Sequence, residues 1–147
     1  MAEPPPLPRS ALLQLLGDMQ DDLADYSVLA VLQERQHDGA LRQDAALLEA
    51  LAHRIVVLVD RLEARRSARE ALIGQLLGED EPACMDALLA RMPATGSAPL
   101  QALWGRVGHA VSDCRSRNAR NLQLMTDQQD LMRRVLVAEA QAVYAGV

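Results

Sequence analysis

Apolar residues recur every three or four positions along almost the whole chain, the period that gathers them on one stripe of an α-helix. In the first such stretch Leu12, Leu16, Met19, Leu23, Tyr26 and Ala30 keep the spacing, with Gly17 tolerated inside it. Ser10 offers an N-cap and His37-Asp38-Gly39 reads as a turn, so a helix is predicted over residues 10–37. A second stripe through Leu48, Leu51, Ile55, Leu58, Leu62, Leu72 and Leu76 predicts a helix over 43–77, ended by Gly78 and Pro82 and interrupted on its seam by Arg65 and Arg69. Residues 79–97 read as a connector holding one short helix, around Cys84 to Arg91, between Pro82 and Pro93. A third long helix, 98–144, meets no breaker. Its seam steps by threes and fours through Leu100, Trp104, Val107, Val111, Cys114, Asn118, Asn121, Met125, Gln128, Met132 and Val135. A seam of this kind belongs to shallow-angle helix packing, so the chain is expected to be one all-α domain, an elongated antiparallel three-helix bundle with coiled-coil character. The prolines from Pro4 to Pro8 make residues 1–9 a stiff, unpacked, disordered arm.

Asn118 and Asn121 break the apolar character of that last seam, and asparagine is a poor helix-interior residue because its amide competes for the backbone's own hydrogen bonds. Two roles fit them. One buried amide at an a- or d-type position fixes register at a cost in stability, and a polar pair on an exposed seam belongs to a partner-binding surface.

The helix lengths create a second expectation. With the helices packed side by side, the first reaches only to about residue 125 of the last and the second begins near the level of residue 131. The remaining turns then overhang by on the order of 20 Å at ~1.5 Å per residue. That overhang is apolar: Leu131, Met132, Val135, Leu136, Val137, Ala140, Val143 and Tyr144 fall in it. A large apolar surface without an intramolecular partner marks an interaction site, and a helix laid in a groove is the natural mode. Met125 and Met132 suit a surface that adapts to more than one partner. The competing expectation is that the helix covers itself by bending or by pairing with a second copy.

Composition narrows the function classes. The chain has 147 residues, no phenylalanine and one tryptophan, Trp104, and its apolar half is made of strong helix formers. All 15 basic residues are arginine, and the formal net charge of −5 with almost no stacking aromatics argues against a nucleic-acid partner. No run approaches the ~18 apolar residues of a membrane span and the N-terminus lacks a leader pattern, so no membrane insertion and a cytoplasmic location are expected. Cys84 and Cys114 lack a CxxC spacing and read as reduced core residues. His37, His53 and His109 are scattered, and no phosphate loop, nucleophile elbow or metal-ligand spacing is present, so no catalysis, cofactor or metal is expected. Arg61, Arg65, Arg66 and Arg69 in "DRLEARRSAREAL" have a spacing similar to the arginines of chorismate mutase-type helical enzymes, but such sites also use lysine and this chain has none. Interleaved with Glu63 and Glu70, these arginines read as a solvated helix face with i,i+4 pairs.

The ordered set of features resembles the FlgN flagellar export chaperones. It comprises a long first helix, a "DG" turn, Leu47-Leu48 opening a second helix that runs into "LEARR", and Trp104 opening a third that carries Asn118-x-x-Asn121 and ends in Tyr144-x-Gly146. The resemblance covers nearly the full chain after the proline arm. It implies a non-enzymatic cytoplasmic chaperone of flagellar type III export. Such a chaperone binds the C-terminal helical segments of the hook-associated (hook-filament junction) proteins, prevents their premature assembly and delivers them to the export gate. Carried onto this sequence, the client site is the second half of the third helix, with Asn118, Asn121, Met125, Leu131, Met132, Val135, Leu136 and Val143. The resemblance implies that Tyr144 docks on the cytoplasmic domain of the gate. The other function class consistent with the residues is a structural or adaptor coiled-coil protein that self-associates through the same seam, and a homodimer in the client-free state belongs to either class.

Overall fold

The computed structural model describes residues 5–146. Four helices follow one another: α1 (Arg9–Leu41), α2 (Ala45–Leu77), the short α3 (Met85–Ala90) and α4 (Ala94–Ala145). No strand occurs among the described residues. From a base formed around α3, α1 runs to a tip, α2 returns, and α4 rises again beside α1. α1 and α4 are therefore parallel, while α2 is antiparallel to both. The backbones of α2 and α4 both lie against α1 rather than against each other, so α1 is the central helix and carries the widest buried face.

Two apolar clusters occupy the bundle. The basal one joins Leu15 and Met19 of α1, Ile73 and Leu77 of α2, Met85 and Leu88 of α3, and Leu100, Leu103 and Val107 of α4. The second, nearer the tip, is made by Leu29 and Leu32 against Leu51, Leu58 and Leu62, and its one partly buried residue from α4 is Cys114. Towards the tip, α4 thus has little apolar purchase on the hairpin of α1 and α2.

Several boundaries differ from those read off the sequence. His37-Asp38-Gly39 is not the turn: α1 continues to Leu41 and the chain reverses at Arg42 and Gln43, the latter at φ 54. Gly39 serves close approach instead. A Cβ there would meet Leu47 Cδ2 and Leu48 Cδ2, each at 3.3 Å, so the missing side chain lets the ends of α1 and α2 close up. Asp44 caps α2, its Oδ1 accepting from the Leu47 amide at 3.1 Å. Ser10 is inside α1 rather than its cap, which falls at Pro8 without a side-chain hydrogen bond.

The proline arm is not unpacked where it is described. Leu7 rests on the basal cluster, and Pro5, Pro6 and Leu7 line a cavity of ≈ 560 Å³ with Leu12, Arg91, Met92 and Pro93. Residues 1–4 lie outside the described residues. At the other end of the connector α4 begins at Ala94, ahead of the expected 98, and takes Pro99 into its second turn. The proline removes one ladder bond close to the helix start, while Leu100 and Leu103 directly after it are buried. Cys84 is an exposed residue at the start of α3 and not a core filler; Cys114 is half-buried, and both are free thiols.

Candidate partner-binding surface

Two polar devices place α4 on the hairpin. The first, an arginine–aspartate ladder, lies between the apolar clusters, where Arg65 and Arg69 interrupt the α2 seam and Asp22 and Asp25 interrupt that of α1. Arg69 Nη1 donates to Asp22 Oδ2 at 2.6 Å and Arg65 Nη1 to Asp22 Oδ1 at 2.7 Å. Arg65 Nη2 and Arg61 Nε each donate to Asp25 Oδ2 at 3.0 Å, and Arg61 Nη2 donates to Oδ1 at 2.8 Å. Asp22 is 2% exposed and Arg69 6%.

The expected solvated arginine face is therefore corrected. Arg65 and Arg69 turn inward and Arg61 bridges the rim, because Asp22 and Asp25 neutralise them. Of the four arginines, only Arg66 pairs wholly at the surface, with Glu63 and Glu70. Burial alone would raise the Asp25 carboxyl, but hydrogen bonds and charge from Arg61 and Arg65 outweigh it and hold the group below the usual carboxylate range. Arg69 also lies over the Trp104 ring, 5.6 Å from its centroid, which ties α4 to the ladder.

The second device is a polar clasp between α1 and the middle of α4. Asn121 Nδ2 donates to the Gln33 carbonyl at 2.8 Å and to Gln36 Oε1 at 3.0 Å. Arg117 Nε donates to Gln33 Oε1 at 2.9 Å, and Gln33 Nε2 to the Cys114 carbonyl at 3.1 Å. Arg120 Nη2 reaches Glu34 at 3.1 Å, and Gln128 Nε2 donates to the Ala40 carbonyl at 2.7 Å. The least exposed line of α4 thus runs through the half-buried Cys114, Arg117, Leu124, Met125 and Gln128 and the buried Asn121.

That line parts the two asparagines. Asn121 is 1% exposed and fixed on α1, whereas Asn118 is exposed and lies off the seam. A straight helix turns through 3.6 residues, and here the packed face takes Arg117 in place of Asn118.

Past Gln128 the helix continues alone. Every residue from 129 to 146 is exposed, and the seventeen residues up to Ala145 span about 26 Å at ~1.5 Å per residue. Of the residues expected to bind a client, Leu131, Met132, Val135, Leu136 and Val143 stand together on this overhang, on the azimuth that α4 turns towards α1 lower down. Met125 is half-buried at its foot. Asn121 is committed to the clasp. Tyr144, 86% exposed, lies about 140° around the helix from Asn121, on the same side as Val137.

The family model described as FlgN protein matches residues 11–141. The chain belongs to the FlgN family. No curated protein and no solved structure matches it. The FlgN match takes in all of α2 and α3, nearly all of α1, and α4 up to Gln141, so it covers the ladder, the clasp and most of the overhang, while Val143 and Tyr144 fall beyond it. FlgN membership carries a flagellar export chaperone role in general terms, in a family of chaperones rather than enzymes. Among the described residues no helix is long and apolar enough to cross a membrane, and no cluster of His, Cys, Asp or Glu has the arrangement to hold a metal ion.

The ladder and the clasp escaped sequence reading. Arg65 and Arg69 were visible as breaks in a seam, but their partners Asp22 and Asp25 drew no notice beside the apolar residues of the first stripe. The signal was a pair of interrupted stripes with opposite charges.

Proposed function

We propose that this FlgN protein is a cytoplasmic chaperone of flagellar type III export that binds the C-terminal helical segments of hook-associated proteins along the overhang of α4. It holds them unassembled and hands them to the cytoplasmic domain of the export gate. The observation that carries this reading is the run of exposed apolar side chains from Leu131 to Val143 on a helix that has outrun its neighbours. An isolated helix of this length is marginal in water, so an overhang seeded by a packed bundle is a helix half prepared for a partner. A second helix laid in line with α1 would cover Leu131, Met132, Val135 and Leu136 and continue the bundle. Tyr144 lies on the far side of the overhang, with Val137, Arg133 and Arg134, and gate docking there leaves a client in place.

The test is a pull-down with isolated C-terminal segments of the hook-associated proteins, run on the wild-type chain and on Leu131→Asp/Leu136→Asp. Each substitution removes roughly 1.5–3 kcal/mol of apolar burial from a complex and adds a desolvation cost. Binding should be lost while thermal unfolding followed by circular dichroism stays unchanged. If the double variant binds as the wild type does, the overhang is not the client site. If no segment binds and the wild-type chain sediments as a dimer that the double variant abolishes, the overhang is a self-association seam instead.

A further inference from the structure

Glu139 follows Asn121 by eighteen positions, about five turns at 3.6 residues per turn, so the two share an azimuth on α4. Asn121 marks the centre of the face that α4 turns to its partner, since it is 1% exposed. Glu139 is therefore the one charge in the middle of the apolar face of the overhang, framed by Val135, Leu136, Ala142 and Val143, which occupy the positions three and four residues away. At those distances a helix pairs its own charges, as Arg66 does with Glu63 and Glu70. Around Glu139 they hold only apolar side chains. Arg133 and Arg134, the cations of the overhang, lie on other azimuths.

A carboxylate covered by a purely apolar partner loses its hydration with nothing in return. The bundle answers the same problem internally by meeting Asp22 and Asp25 with arginines from the facing helix. We propose that the overhang takes an amphipathic helix of about 18 residues that carries an arginine or lysine within its apolar stripe, seated opposite Glu139 and in line with α1. The proposal rests on the client reading above and specifies the chemistry of the client. It also disfavours a second copy as occupant. The same face of a second overhang brings only another Glu139, which meets either a like charge or apolar side chains.

The full chain is used to select from a displayed library of 18-residue amphipathic helices whose stripe positions are randomised, keeping only binders that Leu131→Asp/Leu136→Asp rejects. Selection on the wild type should enrich arginine or lysine at one mid-stripe position, and selection on Glu139→Arg should replace it with aspartate or glutamate. For a selected peptide, Glu139→Gln should weaken binding about tenfold, the worth of one charge-assisted hydrogen bond, and remove most of its salt dependence. Enrichment of stripes without a basic residue, or tighter binding by Glu139→Leu, overturns the proposal while leaving the overhang a client site. Recovery of no helix that depends on Leu131 and Leu136 overturns both.

Discussion

An arginine inside a helix bundle survives only where a carboxylate meets it, and at Asp22 two of them depend on one side chain. Removing that carboxylate strands Arg69, whose alternative is burial without a counter-charge. Asp22→Ala should therefore destabilise the bundle by about 3–5 kcal/mol, read as a shift of the urea midpoint at constant slope. Arg66→Ala, which removes only surface pairs, should stay within about 0.5 kcal/mol of wild type. If the two variants unfold alike, the ladder contributes no more than a surface ion pair. Asp22→Leu combined with Arg69→Leu should recover much of the loss, because the penalty comes from the orphaned charge rather than from the missing attraction. The ladder was hidden in the sequence by the position of one turn. A turn centred on Asp38 brings Asp22 level with Arg54; the actual turn at Gln43 brings it level with Ala64, beside Arg65. Five residues of slip at the tip were enough to part the carboxylates from their partners. Asn121 was visible only as an anomaly for a related reason: its amide donates to the Gln33 carbonyl of α1 as well as to Gln36, and no side-chain pattern records a backbone partner.

Helices of this bundle carry glycine for different reasons, and the element each belongs to decides the outcome of replacing it. Gly105 and Gly108 lie inside α4 with nothing within 4 Å of an added Cβ. Alanine at either position should stabilise the protein by about 0.5–1 kcal/mol, seen as a raised melting temperature, since it lowers the backbone freedom of the unfolded chain at no steric cost. Gly39 is the opposite case. An alanine Cβ there must displace the ends of Leu47 and Leu48 by a few tenths of an ångström, so the helix-propensity gain is largely cancelled and the variant should lie within about 1 kcal/mol of wild type. Leucine at the same position cannot be accommodated between α1 and α2 and should cost more than about 2 kcal/mol. A stabilised Gly39→Leu would show that the close approach of the two helix ends is not needed. At this scale the sequence was most informative: the three long helices, the short one and the C-terminal end of α2 follow from three-four spacing with Gly78 as punctuation. The misplaced ends are those where a breaker residue is present without breaking, Gly39 because it packs and Pro99 because it sits near a helix start.

The whole molecule divides into a three-helix body that ends at the level of Ala40 and Gln128 and a single helix that goes on without neighbours. That division was legible because it depends only on relative lengths. The first two helices are each 33 residues long and the last 52, and no rearrangement of side chains hides a difference of that size. What length could not reveal is how α4 is held below the overhang. Its grip on the tip half of the hairpin is a polar clasp with little apolar area, so the tip end of α4 is the part of the body with least to lose on opening. Truncation after Gln129 tests both statements together. It keeps the Gln128 bond to Ala40 and, of the described residues, removes only exposed ones, so the melting temperature of the body should be unchanged within about 2 °C while the helical circular dichroism signal falls with the lost turns. Truncation after Thr126 also removes Gln128, and should leave the basal core intact while amide hydrogen exchange quickens along Arg117 to Met125. If truncation after Gln129 already lowers the melting temperature by 5 °C or more, the overhang packs on the bundle in solution. The surface from Leu131 to Val143 would then be part of the fold rather than a place for a partner.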